Sequence, residues 1–152
     1  MGIYELFALL QECRTRQNRV GMSLNDEERK ILVGLEIEKS RRTFAEIEIL
    51  RQAGLWDNIA NRLYYAAFHA VSALLINDRH PVGTHQGAVI MLHQHYVKTD
   101  ILPKEDGAFY SQLQTLREKS DYNCTYYATE QDTAPRIAMT EAFIEKVIGL
   151  IK

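Results

Sequence analysis

Cysteine is scarce. Cys13 and Cys124 lie far apart and outside any close Cys/His spacing of the kind that holds zinc, so they read as free thiols and no structural metal is expected. Proline occurs only as Pro81, Pro103 and Pro135, and alternating β-branched runs joined by hairpin turns are missing, which argues against a sheet. Neither sign of charge dominates, since 18 Lys and Arg face 20 Asp and Glu for a net charge of -2. Such a chain has no overall field to draw it onto nucleic acid or an anionic membrane, so any RNA contact must be local. Apolar runs fall short of the roughly 20 residues that span a bilayer, and Met1-Gly-Ile-Tyr-Glu-Leu-Phe lacks the basic start of a signal peptide. No membrane and a cytoplasmic location are therefore expected. A phosphate-cradling glycine loop and a Ser/His/Asp nucleophile set are also missing, and no cofactor is expected.

What is present is helical periodicity. The chain is long enough for one domain, residues 1–152, with a core of its own. Residues 4–16 form a short amphipathic segment that breaks near Gly21. Asn25 and Glu28 resemble a capping box ahead of a long helix to about Ala53, with Ile31, Leu32, Leu35, Phe44, Ile47 and Leu50 at helical intervals and Gly54 as its stop. Asp57 or Asn58 can cap the next helix, apolar nearly all round from Ala66 to Ile76 and so central. A loop from Asn77 to Gly83 leads to Thr84, which caps a helix carrying Val89, Ile90, Leu92, His93 and Tyr96. Pro103 and Asp106-Gly107 mark a turn, a further helix runs from about Glu105 toward Tyr122, and the last begins near Pro135 with Ile137, Ile144, Ile148 and Ile151 as its buried stripe. Short connections make neighbours antiparallel. The expected fold is all-α, an up-and-down bundle of four to five long helices plus a short N-terminal helix.

The stretch from Arg62 to Leu75 carries the polar surprise, because Arg62, Tyr65 and His69 stack along one side of an otherwise apolar helix. That side is a candidate site or interface. Each candidate also has a plain reading: His69 as a hydrogen-bonded core histidine, Tyr64 and Tyr65 packed with hydroxyls at the bundle edge, His85 as a helix-start residue, and Arg117, Asp121 and Tyr122 as an internal polar network. Arg14, Arg16 and Arg19 form a basic cluster that reads as solvated charge or an RNA contact, and Tyr126-Tyr127 is a loop pair that could meet a partner. His93 and His95, two apart on a helix, point to different faces and make a poor metal pair.

Four blocks occur in order: Asn61-Arg62-Leu-Tyr64-Tyr65-Ala-Ala-Phe68-His69-Ala, Thr84-His85-Gln-Gly87, Leu116-Arg117-Glu-Lys-Ser-Asp121-Tyr122, and Phe143-Ile144. Their order and spacing, from about residue 25 to residue 150, resemble the HEPN domains of prokaryotes, in particular the small stand-alone branch. The resemblance implies a bundle of four or five helices, commonly a homodimer, often paired as toxin and antitoxin with a minimal nucleotidyltransferase, and linked to RNA cleavage or nucleotide binding. Ribonuclease members look like metal-independent enzymes in which an Arg is followed, after four to six residues, by a His. There the arginine holds the scissile phosphate and the histidine moves the proton of the ribose hydroxyl. This chain has Arg117, but Tyr122, Asn123 and Cys124 occupy the positions open to the histidine, and none can replace an imidazole. Two other pairs, Arg62 with His69 and Arg79 with His85, satisfy the spacing by count. With 11 arginines and five histidines in the chain, about one such match arises by chance.

The leading expectation is a non-catalytic member that binds a nucleotidyltransferase partner, RNA or a nucleotide through the region of Arg62, His69, Arg117 and Tyr122, with Tyr65, His85 and Asp121 as further ligand-binding candidates. The first alternative is a metal-independent ribonuclease toxin using Arg62 and His69, perhaps with Arg117. The second is a structural dimerisation module whose polar face only sets helix register.

Overall fold

The computed structural model describes residues 24–152, together with Ala8. The amphipathic segment at 4–16, Cys13, Gly21 and the cluster Arg14, Arg16 and Arg19 lie outside those residues. Helix α1 (Asp26–Ala45) starts on a full capping box: Glu28 N donates to Asn25 Oδ1 at 2.8 Å and Asn25 N donates to Glu28 Oε2 at 3.0 Å. It continues as α2 (Ile47–Gln52) past Glu46, whose backbone is itself helical, so the two form one rod. Gly54 ends the rod with φ of 67°, a left-handed conformation that glycine adopts without a Cβ penalty. Then follow α3 (Trp56–Asn77), α4 (His85–Leu92) with a π-helical turn at His93–Val97, α5 (Lys104–Tyr122) and α6 (Glu130–Gly149). The fold is an all-α helical bundle, with no strand among the described residues.

Helix α3 is the centre, packed against α1, α5 and α6. Ile59, Leu63, Tyr64, Leu74 and Leu75 are sealed from solvent, as are Leu92, Tyr110, Leu113 and Val147 from the surrounding helices. Each large apolar side chain buried this way contributes about 1.5–3 kcal/mol. Tyr64, Tyr110 and Phe143 stack across three helices, with centroid spacings of 6.1 and 5.8 Å. Alanines at 66, 67 and 70 let α1 come close enough for Ser40 Oγ to donate to the Ala66 carbonyl at 2.6 Å. By length and hydropathy α3 could cross a membrane, which the run of apolar letters does not suggest, yet 14 of its 22 residues are buried by the other helices.

Several local expectations need correction. The last helix begins at Glu130 rather than near Pro135; Thr129 and Asp132 form its capping box, and Pro135 sits inside the helix. Asp57 does not cap α3. Leu55 is the N-cap without a side-chain bond, and Asp57 Oδ1 instead accepts from Ala128 N at 2.6 Å, tying the α5–α6 connection to the start of α3. Asp106 and Gly107 belong to the first turn of α5. Glycine is needed there because a Cβ would lie 2.8 Å from both His93 and Val97. On α1, Leu35 faces solvent while Glu36, Ser40 and Thr43 are buried. Tyr64 lies in the core, not at the bundle edge.

Candidate functional site: an arginine-centred cleft

Three chain segments meet at an open cleft of about 600 Å³, lined by Tyr65, Thr84, His85, Gln86, Gln114, Arg117, Glu118 and Tyr122. Helix α5 brings Gln114, Arg117 and Glu118 to one face by their spacing of three and four residues. The start of α4 brings the next wall. Thr84 Oγ1 accepts from Gly87 N at 2.9 Å and fixes the first turn, and a Cβ at residue 87 would come within 2.9 Å of that oxygen. Helix α3 supplies the aromatic floor.

Arg117 is 4% exposed. Its guanidinium carbon lies 4.8 Å from the ring centre of Tyr64 and 5.7 Å from those of Tyr65 and Tyr122, an arrangement that favours a cation over the faces of rings. Nη1 donates to the Tyr122 hydroxyl at 3.3 Å and lies 3.9 Å from Asp121 Oδ2. Nε is buried with no partner. Burial works against the charge, but Tyr65, Tyr64, Tyr122 and Asp121 outweigh it and raise the proton affinity of the group. The result is a permanent cation in the lining of a cleft, with its buried Nε left without a partner.

His85 faces the same cleft. Its Nδ1 lies 2.8 Å from the Tyr64 hydroxyl, and its ring packs on Phe68 at 4.6 Å between centroids. Burial, and then the charge of Arg117, lower its proton affinity below the usual imidazole range, so the ring is neutral at pH 7. Burial pushes the Tyr64 hydroxyl up to about 12, so the phenol keeps its proton. Tyr64 thereby occupies one ring nitrogen of His85 and leaves Nε2 as the other polar atom.

The arginine of α3 is a neighbour of this cleft, not part of its lining. Arg62 donates through Nε and Nη2 to Asn61 Oδ1 at 3.1 and 2.5 Å, and through Nη1 to Glu46 Oε2 at 3.3 Å. Asn61 Nδ2 in turn donates to Asp121 Oδ2 at 3.0 Å. Both guanidiniums lie against Tyr65, that of Arg62 at 5.6 Å and that of Arg117 at 5.7 Å. The two arginines thus meet at one tyrosine and one Asn61–Asp121 link. His69 follows Tyr65 along α3, but it turns to α1, where its Nδ1 lies 2.6 Å from Oε2 of buried Glu36. Arg62 and His69 are therefore each engaged with a different acidic residue of the α1–α2 rod or its junction.

The remaining candidates lie elsewhere. Tyr126 donates to Asp132 Oδ2 at 2.8 Å under Lys119, while Tyr127 is exposed. His93 Nε2 approaches Ser111 Oγ at 3.3 Å, whereas His95 stacks on His80 with centroids 3.8 Å apart. Among the described residues no three His, Cys, Asp or Glu side chains gather as a metal site would require. Sequence reasoning passed over Gln86, Gln114 and Glu118. The signal available for two of them was their position three residues before and one residue after Arg117 on the same helix.

The family model for the HEPN domain matches residues 34–150, which takes in every residue lining the cleft. Among curated relatives, a UPF0332 protein of Thermotoga maritima is 28% identical over 75% of this chain and 86% of its own length. Two proteins of Methanocaldococcus jannaschii whose names designate them candidate toxins are 27% and 24% identical, over 85% and 72% of this chain and 95% and 75% of their own lengths. A helical bundle with this order of blocks, matched by one family over most of its length, fixes the assignment: the chain belongs to the HEPN domain family.

Proposed function

We propose that this protein is one component of a toxin–antitoxin-type pair and that the Arg117 cleft binds the phosphate of a ribonucleotide unit in RNA without cleaving it. Two of its relatives bear the name of toxin, and the resemblance noted above supplies the rest of the assembly: a homodimer whose partner is a minimal nucleotidyltransferase. The observation that carries the binding reading is the buried guanidinium of Arg117, ringed by three tyrosines in the lining of an open cleft, with its Nε left without a partner. A phosphate oxygen satisfies such a donor with a charge-assisted bond, and Tyr65 and exposed Tyr122 offer faces on which an unpaired base can stack.

Binding of labelled single-stranded RNA in chelator, read by anisotropy and by gel, tests the reading. Arg117→Lys keeps the charge but loses the planar fork, so affinity should fall about tenfold or more with the helical circular dichroism unchanged. Intact RNA on the gel at high protein concentration is the expected companion result. Unaltered affinity in Arg117→Lys would remove the cleft from the account, and binding of a free nucleotide but not RNA would reassign the ligand.

A second reading, cleavage, is favoured by one observation. A neutral histidine, His85, shares the cleft with Arg117 although the two are far apart in the sequence and outside the usual spacing. Its bond to Tyr64 would orient the ring as a proton-transfer group needs. Loss of a measured cleavage activity in His85→Gln, with activity kept in His69→Gln, would replace the non-catalytic account by this one. The version using Arg62 and His69 has less support, because His69 is committed to Glu36.

A further inference from the structure

The wall of the cleft beside Arg117 is made of acceptors. Gln114 is 8% exposed, and its Nε2 donates to Glu118 Oε1 at 3.2 Å. That bond decides which way the amide faces, since the reverse orientation would set the amide oxygen against a carboxylate. Gln114 Oε1 is then the end of the amide left to face a ligand. Glu118 makes no ion pair among the described residues; Asp121 is the carboxylate beside Arg117. The cleft therefore has two chemically distinct parts. A buried cation with an unspent donor suits an anion, and an adjoining carboxylate with an amide oxygen suits a group rich in N–H.

We propose that Glu118 and Gln114 make this cleft selective for a guanine nucleotide, with Arg117 holding the phosphate and the two acceptors reading the base. The proposal rests on the phosphate-binding reading of the cleft. Guanine is the common RNA base that carries two adjacent donors on one edge, the ring N1–H and the 2-amino group. A carboxylate can accept both in parallel, as charge-assisted bonds. Adenine and cytosine present one amino group beside a ring lone pair, which would face the carboxylate without a proton between them. Uracil presents one N–H flanked by two carbonyls, which is worse. Selectivity of this kind comes from the polar groups that the wrong base leaves unpaired as much as from the bonds the right base makes. The volume of about 600 Å³ is within the range of roughly 300–1,000 Å³ usual for sites of this size of ligand. The carboxylate also disfavours a second phosphate next to the base, so the unit recognised is one nucleotide, free or within a strand.

Titration calorimetry of the full chain in chelator with the 5′-monophosphates of guanosine, adenosine, cytidine and uridine, and with ribose 5-phosphate, tests this. Guanosine monophosphate should bind at least about tenfold tighter than uridine monophosphate, with the other two between them. Glu118→Gln, a change at an exposed position, replaces the carboxylate by an amide that can donate, and should bring the guanosine-to-uridine ratio close to one. Equal affinity of the wild-type chain for all four nucleotides would overturn the guanine inference while leaving phosphate binding in place. Absence of binding by every ligand, ribose 5-phosphate included, would overturn both.

Discussion

Position 69 separates a residue that organises the fold from one that serves the cleft. His69 and Glu36 face each other at 2.6 Å with side chains 11% and 9% exposed, between α3 and α1. Removing one partner strands the other in a dry place, so His69→Leu should cost about 3 kcal/mol in urea unfolding. Replacing both by leucine removes the stranded group, and the pair of changes should cost well under the single one. If the double variant is as unstable as the single, the pair is not the source of the loss. The same two residues explain what the sequence did and did not disclose. Arg62, Tyr65 and His69 could be placed on one side of a helix by counting, because that is a property of the helix alone. That His69 turns toward a glutamate 33 positions earlier is a tertiary fact, and it made Glu36 a buried residue while Leu35 went to solvent. Arg117, Tyr122, Tyr65 and His85 were visible as odd polar or aromatic letters. Gln114 and Glu118 were not, since a glutamine and a glutamate on a helix look like ordinary solvated surface until their neighbours are known.

Helix boundaries were legible where one local bond sets them. Asn25 with Glu28, Thr84 with Gly87, and Gly54 all sit where their side chains or lack of one dictate. Proline at 135 suggests a first helical turn there, whereas the box of Thr129 and Asp132 starts α6 at Glu130, five positions earlier. Asp132 reads less clearly than Glu or Gln at that place. Its carboxyl is held below the usual range first by the Thr129 backbone N–H and then by the Tyr126 hydroxyl, so the cap is charged over the physiological range. Thr129→Ala should therefore lower stability by about 1 kcal/mol. Pro135→Ala should do the opposite. Pro135 is exposed and lacks the N–H that would bond the Gln131 carbonyl, and proline costs up to about 3 kcal/mol against alanine inside a helix. Thermal unfolding of the two variants should move in opposite directions; a fall in Tm for Pro135→Ala would mean that the proline fixes a bend which the bundle requires.

For the molecule as a whole, two histidines couple folding to pH. Burial lowers the proton affinity of His80 and of His85 below that of a free imidazole, about 6.5, helped by His95 in the first case and Arg117 in the second. An unfolded chain accepts protons at these two positions before the folded one does. Stability from them is thus fully present above about pH 6.5 and is lost as the pH falls below that value toward their folded pKa values. Carboxylates act in a lower window: Arg51, and then Gln52, hold Glu48 down to about 2, so its contribution is lost only as the pH falls below 4.5. The urea midpoint should accordingly decline in two stages, the first beginning near pH 6.5. In the double variant His80→Gln, His85→Gln the first stage should flatten and the second remain. An unchanged slope between pH 7 and 5 in that variant would show that other groups carry the coupling. The phosphate proposed at Arg117 adds a further test, since an anion bound beside His85 would favour the protonated ring and reduce the acid sensitivity of the wild-type chain. By linkage, its affinity must rise over the same pH interval in which the free protein loses stability.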